Sequence, residues 1–128
     1  LRFHDNEPVR AADCVASIRR WGARDTMGQT LMGVVDQIRA TSDRGFEIRL
    51  KRPFPLMLDA LGKLSTQALF VVPERVGLSD PLVPNTETIG SGPFRFLRNE
   101  WVPGSHAVFE CGCSGGAGCR GRAAPLPP

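Results

Sequence analysis

The stretch "VVDQIRATSDRGFEIRLKR", residues 34–52, carries the clearest structural signal in the chain. In its second half Phe46, Ile48 and Leu50 alternate with Glu47, Arg49 and Lys51. Successive side chains of a strand point to opposite faces, so this period of two describes a half-buried strand. The first half, "VVDQIRAT", is joined to it by "SDRG", a short polar turn ending in Gly45. The two runs predict an antiparallel hairpin.

On the N-terminal side, Ala11, Val15, Ile18 and Trp21 follow helical spacing. They predict an amphipathic helix over residues 11–21, entered after Pro8 and stopped at Gly22. Residues 27–33 are ambiguous and amount to one short helical turn. On the C-terminal side, "RPFPLMLDALGKL" places Pro55 where a first helical turn tolerates it. Met57, Leu58, Leu61 and Leu64 supply that helix's apolar face, with Gly62 near its end. "ALFVV" reads as a short buried strand ended by Pro73. Residues 78–91 form a loop, and "FRFLRNEW" and "SHAVFE" read as two strands about a Pro103-Gly104 turn. Antiparallel hairpins with two or three helices make an α+β domain over residues 1–110. From Cys111 onward, "CGCSGGAGCRGRAAPLPP" has no apolar periodicity and is expected to be an aberrant or disordered Gly/Cys/Pro-rich tail over residues 111–128.

Composition excludes several classes. With 41% hydrophobic and 23% charged residues, the chain resembles an ordinary globular domain. No apolar run approaches the roughly 20 residues of a membrane span. The start, "LRFHDNEP", has neither an initiator Met nor the apolar core of a signal peptide, and is read as lying inside a longer chain. Of the net charge of +3, Arg120 and Arg122 in the acid-free tail supply two units, so residues 1–110 carry +1. That is not the basic face of a nucleic-acid binder. Arg19 and Arg20 beside Trp21 read as a solvated helix face ending in a core Trp.

Candidate chemistry is sparse. "IGSGPFRF", residues 89–96, contains a G-x-G, but Pro93 removes one amide and a strand rather than a helix follows. Gly90 and Gly92 therefore read as turn glycines, allowing positive φ or close backbone packing, and Ser91 is no nucleophile elbow. His4, Asp5 and Glu7 are either a metal or acid–base group or a hydrogen-bonded turn. Cys111, Cys113 and Cys119, with His106, offer a metal set of unusual spacing, a disulfide partner, or no role. Cys14 reads as a small buried hydrophobe.

Four stretches together resemble one family. "FHDNEPVRAADCVASIRRW" is similar to a strand–turn–helix signature, with Asn6 where Gly is usual. Asn also tolerates positive φ. "VVDQIRATSDRGFEIRLKRPFPLML" resembles the hairpin and Pro-Phe helix that follow it, "FVVPERV" the next segment, and "IGSGPFRF" a G-[ST]-G-P-[FY] motif. In this order, over residues 1–110, they resemble the extracellular solute-binding proteins of ABC importers, family 5, the dipeptide and oligopeptide type. The resemblance stops at Glu110. The chain uses 14 Arg and 2 Lys, as GC-rich coding does, and a shifted reading frame is one origin expected for the tail.

The resemblance implies a fragment of the first lobe of a two-lobed periplasmic or extracytoplasmic protein. Such a protein captures a small solute, a peptide foremost, for ABC permease subunits, without catalysis or cofactor. Nickel chelates, haem, sugars and opines are also solutes of the family. By position, Met27 and Gly28 after the first helix, and Leu64, Ser65 and Thr66 after the Pro-Phe helix, are expected to approach the ligand cleft. Core filling by Met27 and a helix-end role for Ser65 are the competing readings. His4, Asp5, Gly90 and Gly92 are assigned to scaffold turns. A lobe fragment is also expected to expose apolar surface and self-associate. The alternatives are a stand-alone protein-interaction module of the same fold and a small metal-binding protein using the Cys-rich tail.

Overall fold

The structure is a computed structural model and describes residues 1–64 and 67–111. The chain divides into two compact units, Val9–Asn85 and a second that joins Leu1–Pro8 to the segment from Thr86 onward.

In the Val9–Asn85 unit, α1 (Ala11–Arg24) and α2 (Thr26–Val34) meet at Asp25. The Asp25 amide donates to the Trp21 carbonyl (3.0 Å), closing α1, and its side chain accepts from the Gly28 amide (3.0 Å), opening α2. Two helices thus share one cap. α1 runs past Gly22, which the sequence reading took as a stop. A Cβ on Gly22 would lie 2.5 Å from Met32 Cγ, and one on Gly28 would lie 2.9 Å from Gly22 Cα. Gly22 and Gly28 therefore serve the close crossing of two helices. The ambiguous residues 27–33 are helical because they lie within α2.

The expected hairpin is present as β1 (Val35–Ser42) and β2 (Gly45–Leu50), with Ile38 opposite Ile48 and Ala40 opposite Phe46. Val35 and Ile38 are both buried although three residues apart. The register shift between Val35 and Gln37 accounts for this, since an extra residue moves the next side chain to the other face. The hairpin tip reaches α1, whose Ala11 amide donates to the Asp43 carbonyl (2.9 Å). One core joins these elements: Val15, Ile18 and Trp21 of α1, Leu31 and Val34 of α2, and Val35 and Ile38 of β1. Leu31 is completely buried. Burying such a side chain contributes about 1.5–3 kcal/mol.

The Pro-Phe helix is shorter than expected. α3 covers only Met57–Leu61, and of its residues Ala60 alone is buried. Leu58 points outward, 79% exposed. With one buried side chain, little apolar area offsets the cost of a longer helix. "ALFVV" is not a strand: α1 side chains bind the backbone at Val72 and at Gln67 and Glu74 on either side of the run, and α4 (Glu74–Gly77) follows.

In the second unit, β3 (Phe94–Phe96) pairs antiparallel with β4 (Phe109–Cys111), a much shorter ladder than the two strands expected. Residues 98–100 form a 3₁₀ turn instead. Val102 and His106 bridge the Pro103-Gly104 turn, where Gly104 has φ 77°. Phe96 packs against Trp101 and Phe109 at ring separations of 6.0 and 5.4 Å. The architecture is the expected α+β of antiparallel hairpins and few helices.

Candidate functional site

The site region grows from one stripe of α1. Asp13, Ser17 and Trp21 recur every four residues and so share a helix face. The Ser17 hydroxyl donates to the Val72 carbonyl (3.2 Å) and accepts from the Val72 amide (2.9 Å). The Trp21 indole N–H donates to the Gln67 carbonyl (2.7 Å), and the Asp13 carboxylate accepts from the Glu74 amide (2.7 Å). A sheet partner would satisfy these backbone groups; here a helix does. Asp13 also accepts from the Arg10 amide (2.7 Å), closing the first turn of α1. Gly77 lets α4 lie on α1, since a Cβ there would fall 2.6 Å from Ala16 Cβ.

Arg19 and Arg20 are not the freely solvated pair of the sequence reading. Arg19 donates to the Ile38 carbonyl (2.6 Å). Arg20 donates to the carbonyls of Ser79, Asp80 and Val83 and to the Ser79 hydroxyl, at 2.6–3.0 Å. It fastens the loop after α4, which charge patterning along one helix does not reveal. Trp21 is the buried core residue expected.

The predicted cleft residues fall into different environments. Gly28 is buried beneath the Trp21 ring and its amide is bound to Asp25. Met27 is half-buried and packs against the core. Leu64 is fully exposed. Ser65 and Thr66 lie outside the described residues. An ion pair between Lys63 and the buried Asp25 ties the segment bearing Leu64 to the α1–α2 corner bearing Met27 and Gly28. The hydrogen bond from Lys63, with help from the Gly28 amide, holds the Asp25 carboxyl below the usual carboxylate range against the opposing effect of burial.

The remaining candidates resolve individually. The 3–7 segment is a hydrogen-bonded turn, with the Phe3 amide donating to Glu7 O (2.8 Å), the Glu7 amide to Asp5 Oδ1 (3.1 Å), and Asn6 at φ 69°. His4 closes onto the G-S-G stretch. Its Nδ1 accepts from the Gly90 amide (3.3 Å) and its Nε2 lies 2.9 Å from the Gly92 carbonyl. Neither Gly90 nor Gly92 has positive φ. A Cβ on Gly90 would lie 3.6 Å from His4 Cε1, an ordinary van der Waals contact, and one on Gly92 would meet nothing within 4 Å, so neither expected use, positive φ or close packing, is found at these glycines. Cys14 is half-buried rather than buried, and burial with the neighbouring Asp13 charge pushes its thiol pKa up. Among the described residues no three His, Cys, Asp or Glu side chains converge on a metal position. Cys113 and Cys119 lie outside them.

Beside this corner, between α1 and the bound segment, lies an open concavity of about 300 Å³. Trp21, Phe70 and Val72 form its apolar surface and Arg20, Arg24 and Gln67 its polar rim.

The fold and site therefore define a unit that uses the polar side chains of α1 to fasten its own loops, beside an open concavity. The chain belongs to the bacterial extracellular solute-binding proteins, family 5: residues 1–111 match the sequence profile of that family's middle region. It is 40% identical over 111 residues to a probable peptide ABC transporter periplasmic-binding protein, y4tO, of Sinorhizobium fredii. That match covers 86% of this chain and 20% of the relative, so the chain spans about a fifth of its length. Among solved structures, NikZ of Campylobacter jejuni, in complex with Ni(L-His), shares the fold with a TM-score of 0.64 at 20% identity, over 88% of this chain and 22% of that one. The binding protein AgaA of A. tumefaciens R10, in complex with agropinic acid, aligns with a TM-score of 0.62 at 25% identity, over 86% and 22%.

Proposed function

We propose that the protein to which this chain belongs captures a small solute outside the cytoplasm and delivers it to an ABC permease, and that the solute is a peptide. The observation that carries the peptide reading is the 40% identity to a relative described as a probable peptide transporter component. The protein binds and releases its solute without chemical change, and needs no cofactor. Residues 1–111 act as a subdomain of the first lobe; the expected boundary at Glu110 moves by one residue, because Cys111 pairs with Phe94 in the β3–β4 ladder. Met27, Gly28, Leu64, Ser65 and Thr66 supply one strip of the cleft wall. Support for the strip is the Lys63–Asp25 tie, which holds the two segments as neighbours.

A two-lobed binder gains affinity by enclosing and desolvating its ligand. Isothermal titration of the full-length protein with a dipeptide-to-pentapeptide library, Ni(L-His) and agropinic acid tests the assignment. Submicromolar binding of a peptide alone is the expected result. Preference for the nickel complex or the opine would overturn the peptide reading while leaving solute capture intact. The 128-residue chain by itself is expected to show no submicromolar peptide binding, because it offers one wall only.

A further inference from the structure

We infer that the concavity between α1 and the 67–72 segment is a binding site for a compact apolar carboxylate. Met27, Gly28 and Leu64 do not line it. Its volume of about 300 Å³ lies at the lower end of the range of small-molecule sites, room for one aromatic ring or a short acyl chain. Trp21, Phe70 and Val72 offer that body an apolar surface, and Phe70 stands 76% exposed at the mouth. Large apolar side chains held in the open beside a concave surface gain by being covered.

The charge at the rim selects the other end of the ligand. Arg20 and Arg24 are one helical turn apart on α1, a spacing at which like charges repel. Among the described residues neither has a carboxylate partner: Arg20 donates to neutral oxygens of Ser79, Asp80 and Val83, and Arg24 has no partner. A bound carboxylate would relieve that repulsion and accept from the Arg24 guanidinium. Gln67 adds a third observation. It holds φ 61°, a strained conformation for a residue with a side chain, and the indole N–H of Trp21 fixes its carbonyl. The rim is thus held open by the same stripe of α1 that binds the segment.

The test is a ¹⁵N NMR titration of the 128-residue chain with 3-phenylpropionate and with its uncharged amide. Saturable shifts of the Trp21 indole N–H and the Gln67 amide are expected, with a Kd on the order of 1 mM for the carboxylate. Arg24→Gln is expected to weaken the carboxylate about fivefold. Lys51→Gln, an exposed cation on the hairpin, is expected to leave it unchanged. Phe70→Ser is expected to weaken the carboxylate and the amide together. Absence of a saturable shift, equal affinity for the amide, or an Arg24→Gln protein that keeps its fold and full affinity would each overturn the site.

Discussion

At Ser17 a single hydroxyl serves both backbone groups of Val72, donating to one and accepting from the other. Ser17→Ala removes the partner of both the amide and the carbonyl of half-buried Val72, and an orphaned polar group costs about 1–3 kcal/mol. Urea denaturation is expected to show a loss in that range, and an unchanged midpoint would show that water replaces the hydroxyl. Asp25 carries a pH dependence. Its carboxyl is held below its ordinary value of 3.8 in the folded chain, chiefly by the hydrogen bond from Lys63. A carboxyl depressed by folding adds stability above its unfolded pKa, and that stability is lost as pH falls through the folded value. Acid unfolding below about pH 4 is therefore expected to be less steep in Lys63→Met, whose stability near neutral pH falls toward that of the acid form. Coincident acid-denaturation curves for the two proteins would refute the coupling.

The crossing of α1 and α2 depends on Gly22 and Gly28. Gly28→Ala puts a methyl 2.9 Å from Gly22 Cα and 3.1 Å from the Trp21 ring, with backbone on one side and a core ring on the other. Overpacking of this kind costs about 1–3 kcal/mol, and thermal unfolding of the variant measures it. Retained stability would mean that the helices separate freely. The hairpin was legible in the sequence because alternation along β2 is a local property that survives any tertiary context. The first helix was legible for the same reason. The bulge at the start of β1 and the spacing of Val35 and Ile38 were not, since they depend on how Leu50 and Arg49 pair opposite.

For the whole molecule, exposed apolar side chains set the expected behaviour. Leu56, Leu58, Leu64, Phe70, Leu78 and Leu82 in the Val9–Asn85 unit are all more than half exposed. Such surface favours association, and multi-angle light scattering of the chain is expected to show dimers or larger species. A monomer at high concentration would refute this. The family assignment was legible because four short motifs keep their order. Of the residues expected near the cleft, the exposure of Leu64 and the burial of Gly28 were beyond sequence reading, because each depends on segments brought together from a distance.

The sequence by itself determined the α+β class, the β1–β2 hairpin, the first helix and the family. Those follow from short-range periodicity and from motif order. Only the tertiary structure decided what "ALFVV" becomes and what the G-S-G stretch is for. The run is held at its end, where Val72 binds Ser17, and just before its start, where Gln67 binds Trp21, partners 55 and 46 residues away along the chain. Likewise the ring clamping Gly90 and Gly92 belongs to His4, 86 residues from the first of them. Hydrogen bonds over such separations exist only once the chain is folded, so no local pattern encodes them.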